Sequence, residues 1–474
     1  MKSILVGNGI NIQFGGNAYT NSYIMKRIIC KAKLGEYRCV FDNTLSEDEI
    51  LKFFNYFLEI ANNIFEYKYS NVVKNIDIQE AINDFCERYK DIPKPILSPH
   101  LIMLEDWFLI LYVYVLVYED LLNEKFAFQG LERLILDGIY NQGKIQDIYI
   151  NMNEKVRSFF RKFDNLFTLN YDNNLERLTE KSVFHLHGNF SELASSENEE
   201  YVLGHIRKSE GKSIVVKGME HCYCNALLNY SGTLKLKEAE DNYRINIKME
   251  KFVEQYQNCE NVKDMLLELK LKNPGQYKIV KKKINNPNLK VLTEYYFSRL
   301  GSIEGELYIL GMSPNNDDHI FKIINSNRKI DRVYFYYYMK KDREYLERYF
   351  DKSKYELLEV NDLWKQLDCY RQNSNHHYNS CLEIEKLIKK FNNFTNDRVS
   401  EKEIFDEINT ISQEEMNRVC TLVKDFFKDR NLSHLLVNTE ETEFYEGISY
   451  IGLQEGIMPV ALYVIFVMKC TKEF

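Results

Sequence analysis

Asn170, Asp172 and His187 are the residues of this 474-residue chain whose types and setting point most directly to chemistry. Each sits where an apolar run stops. Leu166 to Leu169 gives way to Asn170-Tyr171-Asp172, and Val183 to Leu186 gives way to His187-Gly188. The charged segment between them, Asn173 to Lys181, suits a short surface helix, so both runs read as strands that deliver polar groups to one sheet edge. In open α/β sheets that edge is where ligands bind. An imidazole titrating at about pH 6.5 can act there as a general base. An amide can orient a water or hydroxyl, and a carboxylate can stabilise developing positive charge.

Two further strand ends carry glycine loops. Ser3 to Val6 runs into Gly7-Asn8-Gly9-Ile10-Asn11, and Leu307 to Leu310 stops at Gly311-Met312-Ser313-Pro314, with Asn315 to Asp318 preceding a helix. Such loops let backbone amides approach a phosphate or ribose. They are equally compatible with a tight β-α turn that holds no ligand, because the third glycine of the dinucleotide fingerprint is replaced by Ile12. Other motifs fail on spacing. Gly211-Lys212-Ser213 lacks the earlier glycine of a P-loop, since that position is Ile206. His221, Cys222, Cys224 and Cys259 offer one C-x-C and no second close pair, which argues against structural zinc, so no metal is expected. There is neither a G-x-S-x-G nucleophile elbow nor an H-E-x-x-H metal helix.

The elements that must position these residues follow from the pattern around them. The opening β-loop-α unit gives way, over residues 46–162, to helical segments inserted between the first two strands. Ser46 with Glu49 reads as a helix-capping pair. Residues 205–290 form a second insertion of mixed structure, after which an amphipathic helix, Leu292 to Leu300, leads to Leu307 to Leu310 and Val333 to Tyr338, which resume the sheet. Lys341 to Glu356 reads as helix, Arg371 to Ser380 as a polar linker, and residues 341–474 as a mostly helical C-terminal region with an oligomerisation or regulatory role. The fold class is therefore α/β, a Rossmann-like parallel sheet in residues 1–340 with a helical insertion, plus that mainly helical region. The net charge of −8 carries no general nucleic-acid footprint. Ten scattered cysteines fit a reducing, cytoplasmic setting. The apolar runs Trp107 to Tyr118 and Met458 to Met468 are both shorter than a bilayer span, so no membrane is expected. The first reads as a buried helix, the second as a buried helix or an oligomer contact.

Taken together, Gly7-Asn8-Gly9-Ile10-Asn11, Thr168-Leu169-Asn170-Tyr171-Asp172, Leu186-His187-Gly188 and Gly311-Met312-Ser313 resemble, in order, the G-A-G-x-S, T-Q-N-x-D, L-H-G and G-T-S motifs of the sirtuin family. The chain is most similar to the sirtuin-like effectors of bacterial antiphage defence, including the AbiH-type abortive-infection proteins. The resemblance covers about residues 1–338, in short islands. It implies NAD as substrate, contacted by Gly7, Asn8, Gly9 and Asn11, with Gly311 and Ser313 on the adenosine side. Asn170 and Asp172 would hold the nicotinamide ribose and His187 would be the base. The implied function is hydrolysis of NAD to nicotinamide and ADP-ribose, depleting NAD on activation. Control would come from self-assembly into a homo-oligomer, a partner ATPase or a phage-protein trigger. The alternatives are an NAD-dependent deacylase or ADP-ribosyltransferase and a non-catalytic NAD or ADP-ribose sensor. Deacylation fits less well, because the four-Cys zinc module of the deacylating sirtuins is missing and Asn8 replaces their alanine.

Overall fold

The computed structural model describes residues 1–370 except 34, 42, 44, 70–72, 91, 97–98, 118–123, 194–200, 203–204, 207–215, 229–232 and 315–316, together with Thr421. Its frame is a parallel sheet of β1 (Lys2–Val6), β2 (Asn165–Thr168), β3 (Val183–His185), β6 (Gly305–Leu310), β7 (Ile330–Tyr337) and β8 (Tyr355–Glu359). The strand order is β3-β2-β1-β6-β7-β8. A separate two-stranded antiparallel pair joins β4 (Tyr201–Val202) to β5 (His205–Ile206). The expected Rossmann-like sheet is present. Chain order reverses at β1, so the switch point where doubly wound sheets bind ligands lies between β1 and β6.

The central strands β1 and β6 are built from runs that bury both faces. In β1, Ile4, Leu5 and Val6 are fully buried, and in β6 so are Leu307, Ile309 and Leu310. Near-continuous apolar runs are what a sheet covered on both sides requires. Phe167, Leu186, Ile320, Ile324, Val333 and Phe335 join Leu5, Leu307 and Ile309 in one core. Register sets the site. Val6 pairs with Thr168 and with Leu310, and Thr168 pairs with His185, so the four strand ends form one row. Gly7, Asn170, His187 and Gly311 all follow within two residues of that row.

Between β1 and β2 the chain makes the expected helices, including Glu47–Phe65, Ile76–Arg88, Asp106–Val117 and Glu124–Tyr140. Ser46 and Glu49 form the capping pair, with the Ser46 amide and hydroxyl donating to Glu49 Oε2 at 2.8 and 2.7 Å. Asp106–Val117 buries most of its length, with Trp107, Ile110, Leu111 and Val113 inaccessible. Among the described residues no helix is long and apolar enough to cross a membrane. The second insertion carries the helices Thr233–Asn258, Glu260–Lys272 and Pro274–Asn285.

Two local readings change. The helix expected over Lys341 to Glu356 ends at Tyr349, and Tyr355–Glu359 is a sixth strand paired with β7, so the sheet continues past residue 340. The segment expected to be helical from Leu292 is helical only over Phe297–Leu300. The linker at 371–380 and the apolar run at 458–468 lie outside the described residues.

The chain divides into two compact units. One comprises Met1–Ile10, Glu59–Ile96 and Leu104–Leu363; the other comprises Asn11–Leu58, Leu97–Met103 and Trp364–Phe474. The first holds the sheet. In the second, Phe14 packs edge-on against Trp364, Gln13 Nε2 donates to the Cys369 carbonyl at 2.8 Å, and buried Arg27 donates to the Ala18 carbonyl at 2.7 Å.

Candidate active site

Asn170 is fixed from three directions. Its amide N–H donates to Thr168 Oγ1 at 3.0 Å, its carbonyl faces His185 Nδ1 at 3.0 Å, and its side-chain Nδ2 donates to the Gly7 carbonyl at 3.3 Å. The last bond ties the end of β2 to the glycine loop after β1. Among the described residues, Oδ1 of Asn170 takes no hydrogen bond and is left as an acceptor. His185 is buried, which lowers its affinity for a proton, but the Glu176 carboxylate at 2.6 Å and the Asn170 carbonyl outweigh this, so its pKa is raised.

The two glycine loops grip each other. Gly7 N–H donates to the Leu310 carbonyl at 2.9 Å and Gly9 N–H to the Gly311 carbonyl at 2.8 Å. A Cβ on Gly7 would fall 2.6 Å from the Gly311 oxygen, and one on Gly9 2.6 Å from the Gly311 Cα. Glycine is required here for backbone contact between β1 and β6, whatever ligand binds. The Ile10 N–H is also taken, by the Gly7 carbonyl at 3.3 Å. Asn8 stands exposed at the tip of this loop, Asn11 is buried on the helix Gly9–Gly15, and Ser313 is half-buried two residues beyond Gly311.

His187 is clamped at its backbone. Its carbonyl accepts the Leu227 N–H at 2.7 Å, and the next residue, Gly188, has φ +80° with a notional Cβ only 2.3 Å from the Asn225 oxygen. Asn225 Oδ1 also accepts the Asn189 N–H at 2.8 Å, and its carbonyl accepts the Tyr295 hydroxyl at 3.0 Å. The imidazole is 3 % exposed and its Nε2 lies 3.1 Å from Nε2 of His319, with the rings near-parallel at 21°. Burial first, then the Lys235 ammonium and His319, hold the His187 pKa well below the usual range. Burial, Lys235 and Lys322 push His319 down to about 3. Both rings are neutral at pH 7.

Asp172 is placed differently from its neighbours. Its Oδ1 accepts both the backbone N–H of Asn174 at 3.1 Å and the Asn174 side-chain amide at 2.7 Å, so it closes the turn that starts the helix Asn174–Thr179. Asn174 in turn donates to the Ile145 carbonyl at 2.7 Å.

Sequence reasoning missed His319, Lys235, Glu105 and Asn225. His319 carried a signal, since it opens the helix after the Gly311 loop. Lys235 is fully buried in an ion pair with Glu105, a contact between distant segments that no local pattern announces. Of the residues weighed for zinc, His221 and Cys222 place their ligand atoms within 4.8 Å of each other and of Asp137. His221 Nε2 bonds Asp137 Oδ1 at 2.9 Å and stacks on Tyr140, while the Cys222 thiol donates to the Arg133 carbonyl at 3.3 Å. Cys224 is buried, which pushes its thiol up to about 12, and Cys259 is exposed.

No family model, curated protein or solved structure matches this chain.

Proposed function

We propose that the chain hydrolyses NAD to nicotinamide and ADP-ribose, with His187 as base and Asn170 as the group that orients water or a ribose hydroxyl. The observation that carries this reading is the convergence of Asn170, His187 and the two glycine loops at the C-terminal edge of a doubly wound parallel sheet, beside its switch point. The chemistry asks little else of the protein. Nicotinamide leaves a cationic ring as a neutral group, so its departure needs no acid, and the transition state resembles an oxocarbenium ion. As the C1′–N bond breaks, its electron pair goes to the pyridine nitrogen. Water oxygen bonds C1′, and the water proton passes to the imidazole of His187. The acceptor Oδ1 of Asn170 can hold that water, because its Nδ2 is committed to Gly7. Asp172, occupied in its turn, starts the following helix.

The sequence resemblance extends this to a defence effector that lowers cellular NAD once activated, in the cytoplasm, with a homo-oligomer, a partner ATPase or a phage protein as trigger. The burial of His187 fits a protein whose chemistry waits for such a trigger.

The test is NAD consumption by the purified full chain, with candidate activators added, followed as nicotinamide release. His187→Ala and Asn170→Ala should each lower turnover by about 100-fold or more, the scale of a lost acid–base group. Turnover that survives both substitutions, or that requires an acceptor protein, would reject hydrolysis at this site.

A further inference from the structure

One proton decides how His187 is presented. Its Nε2 and that of His319 are 3.1 Å apart, and both rings are buried. Two lone pairs facing each other at this distance repel, as do two N–H groups, so a single proton lies between the nitrogens. The far nitrogens settle which ring owns it. Among the described residues, His319 Nδ1 is buried without a hydrogen-bond partner. A buried N–H with no acceptor is rarer and costlier than an under-used acceptor. His319 therefore leaves Nδ1 bare and carries its proton on Nε2, which donates to His187, and the proton of His187 sits on its own Nδ1.

We infer that His319 is a positioning residue for His187: it holds the Nε2 lone pair of His187 in a hydrogen bond, and His187 acts as a base only once the two rings part. The inference rests on the reading of His187 as the base. The elements suit it. His187 follows β3, whereas His319 stands in the first turn of the helix Asp318–Ser326, directly after the Gly311 loop at the switch point. Whatever displaces that loop carries His319 away from a ring clamped separately by Leu227 and Gly188. A divalent ion between the nitrogens would be the competing account. Zinc–nitrogen bonds of about 2.0–2.1 Å give a tetrahedral edge of roughly 3.3 Å, and Asp317 offers a carboxylate oxygen within 4.8 Å of both. The buried Lys235 ammonium, whose charge is felt at both rings, opposes a cation there.

Long-range proton–nitrogen spectra of the native full chain, labelled with ¹⁵N-histidine, read the tautomers without any substitution. His187 should show Nδ1–H with a bare Nε2, and His319 should show Nε2–H. Reversed tautomers, or one equivalent of tightly held zinc that His319→Ala removes, would overturn the inference. Carbethoxylation of His187 by diethylpyrocarbonate, mapped by mass spectrometry, needs no substrate. It should rise at least tenfold in His319→Ala and stay near the native rate in His319→Gln, which keeps an N–H donor; an unchanged rate in His319→Ala sinks the idea. Basal NAD turnover should rise by a similar factor in His319→Ala. Freed reactivity without NAD loss would leave the positioning role standing and reject the NAD reading instead.

Discussion

His185 and His187 stand two positions apart, yet their surroundings push them in opposite directions. His185 gains a carboxylate, so its raised pKa contributes stability that is full below pH 6.5 and is lost as pH rises through the folded value. Among the described residues neither His187 nor His319 has a carboxylate hydrogen bond; both are buried, and their pKa values are lowered. Below about pH 6.5 the unfolded chain takes up protons that these two folded rings refuse, so stability falls as the solution is acidified, over a window reaching down to about 3 for His319. Each ring contributes a slope of up to about 1.4 kcal/mol per pH unit. Urea unfolding between pH 6.5 and 4.5 should therefore show a slope shallower by about that amount in His319→Phe than in the native protein. Equal slopes would mean that the pair is not held neutral. Glu176→Gln should act on the other branch, removing the stability that His185 supplies at low pH.

At the scale of elements, the four strand ends are legible in the sequence because each is a mostly apolar run stopped by a glycine, an asparagine or a histidine. The Ser46–Glu49 cap is legible because its partners are three residues apart. The strand Tyr355–Glu359 is not, since its two glutamates mimic a charged helix; it is an edge strand, where outward charges are tolerated. Gly188 is half legible: its place after the histidine stands out, whereas its reason, the Asn225 backbone, lies far along the chain. That reason has a measurable consequence. Gly188→Ala combines a left-handed φ of +80° with a clash at 2.3 Å and should cost about 3 kcal/mol. Gly218→Ala provides the control, having φ +87° but open space around it, and should cost only about 1 kcal/mol. Comparable urea midpoints for the two variants would show that Asn225 does not clamp this turn.

At the scale of the molecule, the site is a product of topology. The partners His187 and His319 are 132 positions apart, and Lys235 is 130 from Glu105, so no local window of sequence holds either pair. Segment types can be read locally, but insertions folding back onto a strand edge cannot. The Lys235–Glu105 pair joins the start of the helix Thr233–Asn258 to the segment just before Asp106–Val117, thereby fixing the second insertion to the first. Its two members are not equally placed, since Lys235 is fully buried and the Glu105 side chain is 31 % exposed. Losing Glu105 leaves a buried, uncompensated ammonium, so Glu105→Gln should cost about 3–5 kcal/mol. Losing Lys235 leaves a carboxylate that water can reach, so Lys235→Met should cost distinctly less. Replacing both, as Glu105→Leu with Lys235→Met, removes the unpaired charge and should recover most of the loss. That asymmetry and recovery, read from urea midpoints of the three variants, are what a pair holding two insertions together requires; equal single costs that simply add would assign the junction to packing alone.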